Sequence, residues 1–78
     1  MSPESIRTEL ERIAREKLRF DGDLGAGELA EQLDSVQRLT FVVAVEDHFE
    51  ICFEPEDEER IHGIQDMVKA IHEKLRGA

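Results

Sequence analysis

Apolar residues recur three or four positions apart in three separate stretches of this chain, and this spacing favours helices packed on one another. The stretches cover residues 3–19, 34–49 and 64–76. A chain of 78 residues has room for one domain and buries little surface, so the helices must share one apolar core. We predict an all-α, small four-helix bundle forming a single domain over residues 1–78. It has three main helices, a short third helix near 55–60, and a long loop between helices one and two.

Local signals predict where the second helix begins. Asp34 is a good helix cap, and Gln37 three residues later completes the pattern of a capping box. Before it, Asp21-Gly22 and two further glycines predict a loop over residues 20–33, in which residues 28–32 can form one helical turn. Four apolar residues are placed to hold this loop against the bundle: Phe20, Leu24, Leu29 and Leu33.

The charge of the chain is strongly negative and uneven. The formal net charge is −9, from 19 acids and 10 bases. Residues 20–59 contain thirteen acids and a single Lys or Arg, which is Arg38. Such a surface repels phosphodiester backbones, so we do not expect nucleic-acid binding. It favours encounters with basic partner surfaces, and these depend strongly on salt.

Several kinds of site and location are disfavoured by what the sequence lacks. A single cysteine allows no intrachain disulfide, and its position between Ile51 and Phe53 predicts that Cys52 is buried and inert. No metal site is expected, because the histidines lack a paired ligand spacing. They are His48, His62 and His72. Neither a signal-peptide pattern nor an apolar run long enough to span a membrane occurs, so we expect a cytoplasmic protein.

Ser35 is the residue whose position is compatible with attachment of a phosphate group. A serine at a helix start after a flexible loop is expected to be exposed, and the backbone N–H groups there favour a phosphate. Asp34 beside it can hold a divalent cation or position the coenzyme of a modifying enzyme. Taken alone, however, this segment is more typical of ordinary helix capping, because Ser and Asp are among the commonest helix caps.

A wider pattern distinguishes between these interpretations. The run DSVQRLTFVVAVEDHF, residues 34–49, closely resembles the phosphopantetheine attachment region of acyl carrier proteins. Downstream, Pro55, the acidic run at 54–59 and the Ile-Gln-Asp segment at 64–66 are also similar to that family. The resemblance covers roughly residues 29–75.

The resemblance implies a bundle of acyl-carrier type and a non-catalytic carrier function. Ser35 would bear 4′-phosphopantetheine from coenzyme A, with Asp34 supporting the modification. The thiol of the arm would carry an acyl or aminoacyl group as a thioester in fatty-acid, lipid or specialised-metabolite biosynthesis. Expected partners are a phosphopantetheinyl transferase and an acyl or aminoacyl ligase, synthase or transferase. The chain is expected to be a monomer.

Two sets of helix residues receive roles from the same resemblance. The expected partner-binding residues are Val36, Gln37, Arg38, Glu46 and Asp47. The residues that can shelter an acyl chain are Leu39, Val42, Ile51, Ile61 and Ile64, together with Val36. Ordinary core packing is the alternative role for this second set.

The sequence also departs from the common fatty-acid carrier. Many such carriers have Gly three residues before the serine, where this chain has Gln32 followed by Leu33. Many also place acids just after the serine, where this chain has Gln37, Arg38 and Thr40. A base in place of an acid can reverse a contact with a partner. These departures favour a specialised carrier over the general fatty-acid one, and the Leu-Asp-Ser form resembles specialised carriers that include the D-alanyl and aminoacyl types.

Two other functions stay open. The chain can be an adaptor that keeps the carrier fold and binds a partner without the prosthetic group. A small hydrolase is disfavoured, because Ser35 has no histidine close in sequence and so short a chain encloses little.

Overall fold

The computed structural model describes residues 1–20 and 22–77, which form five α-helices and no strand. The elements are α1 (Pro3–Leu18), a 3₁₀ turn (Leu24–Ala26), α2 (Leu29–Gln32), α3 (Ser35–Phe49), α4 (Pro55–Arg60) and α5 (Ile64–Gly77). The predicted all-α class is confirmed, and α1, α3, α4 and α5 lie within one residue of the predicted ranges. The turn predicted at Asp21-Gly22 includes Asp21, which lies outside the described residues.

The core lies where α1 packs against both α3 and α5. The buried side chains of α1 recur at the predicted helical spacing, and each of the other two helices adds an apolar stripe. These residues are Ile6, Leu10, Ile13 and Ala14 of α1, Phe41, Val45 and Phe49 of α3, and Ile64, Met67, Val68 and Ile71 of α5. Full burial of one such large side chain contributes about 1.5–3 kcal/mol, so this contact dominates the stability of the fold.

The connection between α1 and α3 is held against this core along its length. Leu24, Leu29 and Leu33 are each at most 3% exposed, so three of the four predicted apolar anchors are fully buried. Phe20, the fourth, is half-buried against the core. The Leu29 N–H donates to the His62 carbonyl at 2.8 Å, which ties the start of α2 to the segment before α5. The chain therefore reaches α3 from a fixed direction.

The segment between α3 and α4 is fixed by a carboxylate of α3. Glu46 Oε2 accepts a hydrogen bond from the Phe53 N–H at 2.7 Å, and the Phe53 ring is buried. Beyond it, Asp57 Oδ2 accepts from the Glu54 N–H and from Lys74 Nζ, both at 2.9 Å. The second contact joins α4 to α5, because Lys74 lies on α5.

Candidate functional site

Ser35 is the first residue of α3 and is exposed. The predicted capping box is confirmed around it. Asp34 Oδ1 accepts from the Gln37 N–H at 2.8 Å, and Gln37 Oε1 accepts from the Asp34 N–H at 3.1 Å. Asp34 and Gln37 thus satisfy each other's backbone groups and leave the Ser35 hydroxyl facing solvent. Because the box does not use the hydroxyl, the serine is dispensable for capping.

The first turn of α3 suits a phosphate on Ser35. The Gln37 N–H is used by the Asp34 side chain, and the Arg38 N–H donates to the Asp34 carbonyl at 2.9 Å. The N–H groups of Ser35 and Val36 have no acceptor among the residues that the structure describes. Two unused donors and the positive end of a fifteen-residue helix stabilise an anion there. The donor set therefore fits the phosphodiester of a phosphopantetheine arm.

Arg38 lies one turn further along α3 and is exposed. Its guanidinium makes no ion pair or hydrogen bond with any side chain in residues 1–20 and 22–77. Three other bases form ion pairs in the described residues, Arg7 with Glu11, Arg12 with Glu9 and Glu16, and Lys74 with Asp57, and Arg38 is distinguished from the remaining bases by its position beside Ser35. The Arg38 guanidinium is therefore free to bind a ligand beside Ser35, within the most acidic part of the sequence.

The side of α3 that faces away from the core is apolar. Val36, Leu39 and Val43 are 74%, 65% and 54% exposed, and their spacing places them on one face of the helix. In the described residues, the other large apolar side chain this exposed is Met1, near the start of the chain. Adjacent exposed apolar side chains of this kind mark a contact surface. Val43 was not among the predicted partner residues, although its distance of seven positions from Val36 was a usable signal.

The other predicted partner residues differ in their surroundings. Gln37 is half-buried and occupied by the capping box, and Glu46 is half-buried with one carboxylate oxygen on the Phe53 N–H. Asp47 is exposed near the end of α3. Asp47, four positions after Val43, is therefore the predicted polar group that is available on this apolar face, whereas Arg38 lies on the side of α3 that carries Val42 and borders a cavity.

A cavity of about 440 Å³ opens next to Arg38, between α2, α3, α4 and the start of α5. Val42 and Ile61, both predicted to shelter a cargo, line it together with His62. The remaining lining residues are Glu28, Leu29, Ala30, Arg38, Phe53, Glu58, Glu59 and Met67. The cavity thus combines an apolar interior with charged groups that are exposed at its mouth.

The other predicted pocket residues lie elsewhere. Leu39 and Val36 project into solvent, Ile64 is 2% exposed in the core, and Ile51 borders a separate open cavity that Cys52 and Lys74 also line. Of the residues that the resemblance assigned to an acyl pocket, only Val42 and Ile61 share the cavity with Arg38. The path of the chain after α3, which is fixed by the contacts of Glu46 with Phe53 and of Asp57 with Lys74, decides where the others lie, and no short-range pattern encodes it.

Asp66 fixes the cavity wall at the start of α5. Its Oδ2 accepts from the His62 N–H at 3.0 Å and from the Gly63 N–H at 3.1 Å. These two hydrogen bonds lower the pKa of the Asp66 carboxyl from its ordinary value, because they stabilise the charged form. His62, which lines the cavity, is thereby held by its backbone.

The prediction of a buried cysteine is wrong, since Cys52 is exposed. Residues 51–54 are not helical, and side chains of an extended segment alternate in direction. Phe53 takes the inward position, so Cys52 points outward. Within the described part of the chain, no cluster of three or more His, Cys, Asp or Glu side chains is arranged to hold a metal ion. In the same residues, no helix combines the length and apolarity needed to cross a membrane.

Comparison with known proteins adds no relative to this picture, because no family model, curated protein or solved structure matches the chain.

Proposed function

We propose that this chain is an acyl carrier protein, in which Ser35 bears 4′-phosphopantetheine and the arm carries an acyl or aminoacyl group as a thioester. One observation carries the proposal. Ser35 is exposed at the first position of α3, its hydroxyl is not needed for capping, and an apolar contact face and a cavity begin within one turn of it. The resemblance of residues 34–49 to the carrier attachment region supports the same conclusion.

We propose further that the fold is a bundle of acyl-carrier type. Three long helices around one core, with the short α4 between α3 and α5, support this. The long connection held by Leu24, Leu29 and Leu33 presents the start of α3 at the surface. A carrier needs this arrangement, since its modified serine must reach several enzymes in turn.

The chain itself contributes the Ser35 hydroxyl to the modification and no catalytic base. The Ser35 oxygen forms a bond to the phosphorus of coenzyme A that bears the pantetheine, and the bond from that phosphorus to the adenosine bisphosphate breaks. The hydroxyl proton passes to a base of the transferase. When bound, the arm supplies a thiol that holds cargo as a reactive thioester, and tethering raises the effective concentration of that cargo for partner enzymes. Asp34 and Gln37 hold the helix start in place for this transfer.

The exposed face of α3 is the proposed docking surface. Its centre is apolar, at Val36, Leu39 and Val43, and Asp47 lies at its far end. A partner that fits it has an apolar patch and a base opposite Asp47, and Arg38 adds a positive charge on the adjoining side of the helix, next to Ser35. The common fatty-acid carrier presents acids near the serine instead. The chain therefore fits better to a ligase or synthase of a specialised pathway.

The test is loading with coenzyme A by phosphopantetheinyl transferases of broad specificity, followed by intact-mass measurement. We expect the wild-type chain to gain the mass of one phosphopantetheinyl group. Ser35→Ala should gain nothing, and its thermal unfolding should match that of the wild type because the capping box is intact. Thr40→Ala is the matched control, since it removes another exposed hydroxyl of α3 and should load normally.

The adaptor function makes the opposite prediction. An adaptor would stay unmodified with every transferase and would have the unmodified mass when isolated from its own cell. That result, obtained with a folded wild-type chain, would overturn the carrier proposal. The exposed apolar face of α3 is the observation that would then favour an adaptor, because it serves a protein partner with or without an arm on Ser35.

A further inference from the structure

We propose that Arg38 binds the phosphodiester of the arm on Ser35 and directs the arm into the cavity that Arg38 lines. This rests on the proposed function of Ser35. It assigns a role to the one Lys or Arg in residues 20–59, which is also a position where the chain departs from common carriers.

Helix geometry places the two side chains together. Residues three positions apart on a helix are neighbours, with Cβ atoms about 5–6 Å apart. Long side chains of a helix also lean toward its N-terminus, which brings a phosphate on Ser35 within the reach of the Arg38 guanidinium. A guanidinium presents several donors in a planar fork that matches the oxygens of a phosphate.

The surroundings leave this guanidinium available. Arg38 has no carboxylate within ion-pair distance among the described residues, although Glu28, Glu58 and Glu59 line the same cavity. A phosphodiester on Ser35 would introduce a further negative charge next to the carboxylate of Asp34. Arg38 is placed to compensate that charge, and the two unused N–H groups of the first turn add to the same site.

The cavity explains what this contact achieves. Val42 lies one turn beyond Arg38 on α3, and Ile61 lines the cavity with it. If Arg38 held the phosphate, the arm would start beside the cavity that Arg38, Val42 and Ile61 line. Arg38 is thus a positioning residue for the arm, distinct from the modified serine.

The experiment compares loaded and unloaded protein by nuclear magnetic resonance. Wild type, Arg38→Gln, Arg38→Lys and the control Arg60→Gln are loaded with coenzyme A, and loading is verified by mass. Arg60 is an exposed base of α4 that borders a different cavity. The ³¹P resonance, the Nε–Hε resonance of Arg38, and the nuclear Overhauser effects from the arm methyls to Val42 and Ile61 are recorded.

We expect loading to shift the Arg38 Nε–Hε resonance in the wild type. The ³¹P resonance of loaded Arg38→Gln should differ from that of the wild type, and its arm contacts to Val42 and Ile61 should fall by at least half. Arg38→Lys should give an intermediate ³¹P resonance and intermediate arm contacts, because lysine keeps the positive charge but lacks the planar set of donors of a guanidinium. Raising NaCl from about 20 to about 500 mM should move the wild-type ³¹P resonance toward that of Arg38→Gln.

The two proposals fail in different ways. Absence of any mass gain refutes modification of Ser35. A full mass gain with the same ³¹P resonance and the same arm contacts in wild type and Arg38→Gln overturns the role of Arg38 alone. An equal change in Arg60→Gln also overturns it, because the effect would then reflect net charge and not a contact.

Discussion

The side chain of Gln32 stabilises the connection that leads into α3 and Ser35. Its Nε2 donates to the carbonyl oxygens of Leu24 and Gly27, both at 2.9 Å. These carbonyls belong to the connection before α3, outside any α-helix, and Gln32 gives each of them a hydrogen bond. A glycine at position 32, which the sequence comparison with common fatty-acid carriers would place there, could make neither bond. The side chain of Gln32 thus ties the connection together just before Ser35.

We predict that Gln32→Ala lowers the free energy of unfolding by about 1–2 kcal/mol, because two hydrogen bonds are lost and two carbonyls need new partners. Urea unfolding followed by circular dichroism measures this change. Gln65→Ala is the control, since Gln65 is exposed on α5 and its side chain makes no hydrogen bond to the described residues. An equal loss in both variants would mean that the Gln32 contacts contribute nothing of their own.

At the scale of the helix, the sequence predicts where α3 begins but not which face of α3 is buried. The beginning was predictable, because the capping box formed by Asp34 and Gln37 is a contact between residues three positions apart. The face that α3 buries was not, because apolar residues lie all around the helix. Phe41 is buried while its neighbour Leu39 is 65% exposed, and the packing of α1 and α5 determines which side is covered. The hydrogen bond of Glu46 to Phe53 was likewise hidden in the sequence, since it depends on the path of the chain after the helix.

The residue that ends α3 has both an unfavourable backbone conformation and an unfavourable charge. Glu50 terminates it with φ 55° and ψ 48°, in the left-handed region, and carries a negative charge at the negative end of the helix. The left-handed conformation costs a residue with a Cβ about 1–2 kcal/mol, and glycine avoids that cost. Part of the gain from glycine is offset by its greater freedom in the unfolded chain.

We predict that Glu50→Gly raises the free energy of unfolding by about 0.5–1 kcal/mol and Tm by about 4 °C. Differential scanning calorimetry measures both changes. Glu50→Ala is the matched control, because it removes the same charge and keeps a Cβ in the left-handed region. If Glu50→Ala stabilises the protein as much as Glu50→Gly, the charge and not the backbone conformation is responsible.

At the scale of the whole molecule, a small set of carboxylates stabilises the fold against the repulsion of a net charge of −9. Arg12 lowers the pKa of the Glu9 carboxyl by hydrogen bonding, and the Glu54 N–H and Lys74 lower that of Asp57. The His62 and Gly63 N–H groups do the same for Asp66. Glu9 also lies 3.3 Å from His48 of α3, and Asp57 joins α4 to α5, so two of the three link separate helices.

These lowered pKa values determine the sign of the acid dependence. Each group binds protons less readily in the folded state than in the unfolded state, so its contribution is complete above the unfolded pKa of about 4. The contribution is lost as the pH falls through the lower folded pKa. We therefore predict that the free energy of unfolding decreases as the pH drops below about 4.

Asp66→Asn isolates one of these contributions, since asparagine resembles the protonated acid in shape and keeps an acceptor oxygen. At pH 7 the variant should be less stable than the wild type by about 1 kcal/mol, a value kept small because Asp66 is exposed to solvent. Urea unfolding across the acid range should show the two stability curves converging as Asp66 itself becomes protonated. Glu73→Gln is the control, because it removes a charge from the same helix without removing a hydrogen bond within the described residues, so its stability at pH 7 should stay within about 0.5 kcal/mol of the wild type. A constant gap between Asp66→Asn and the wild type down to pH 2 would show that the two N–H contacts of Asp66 do not favour its charged form.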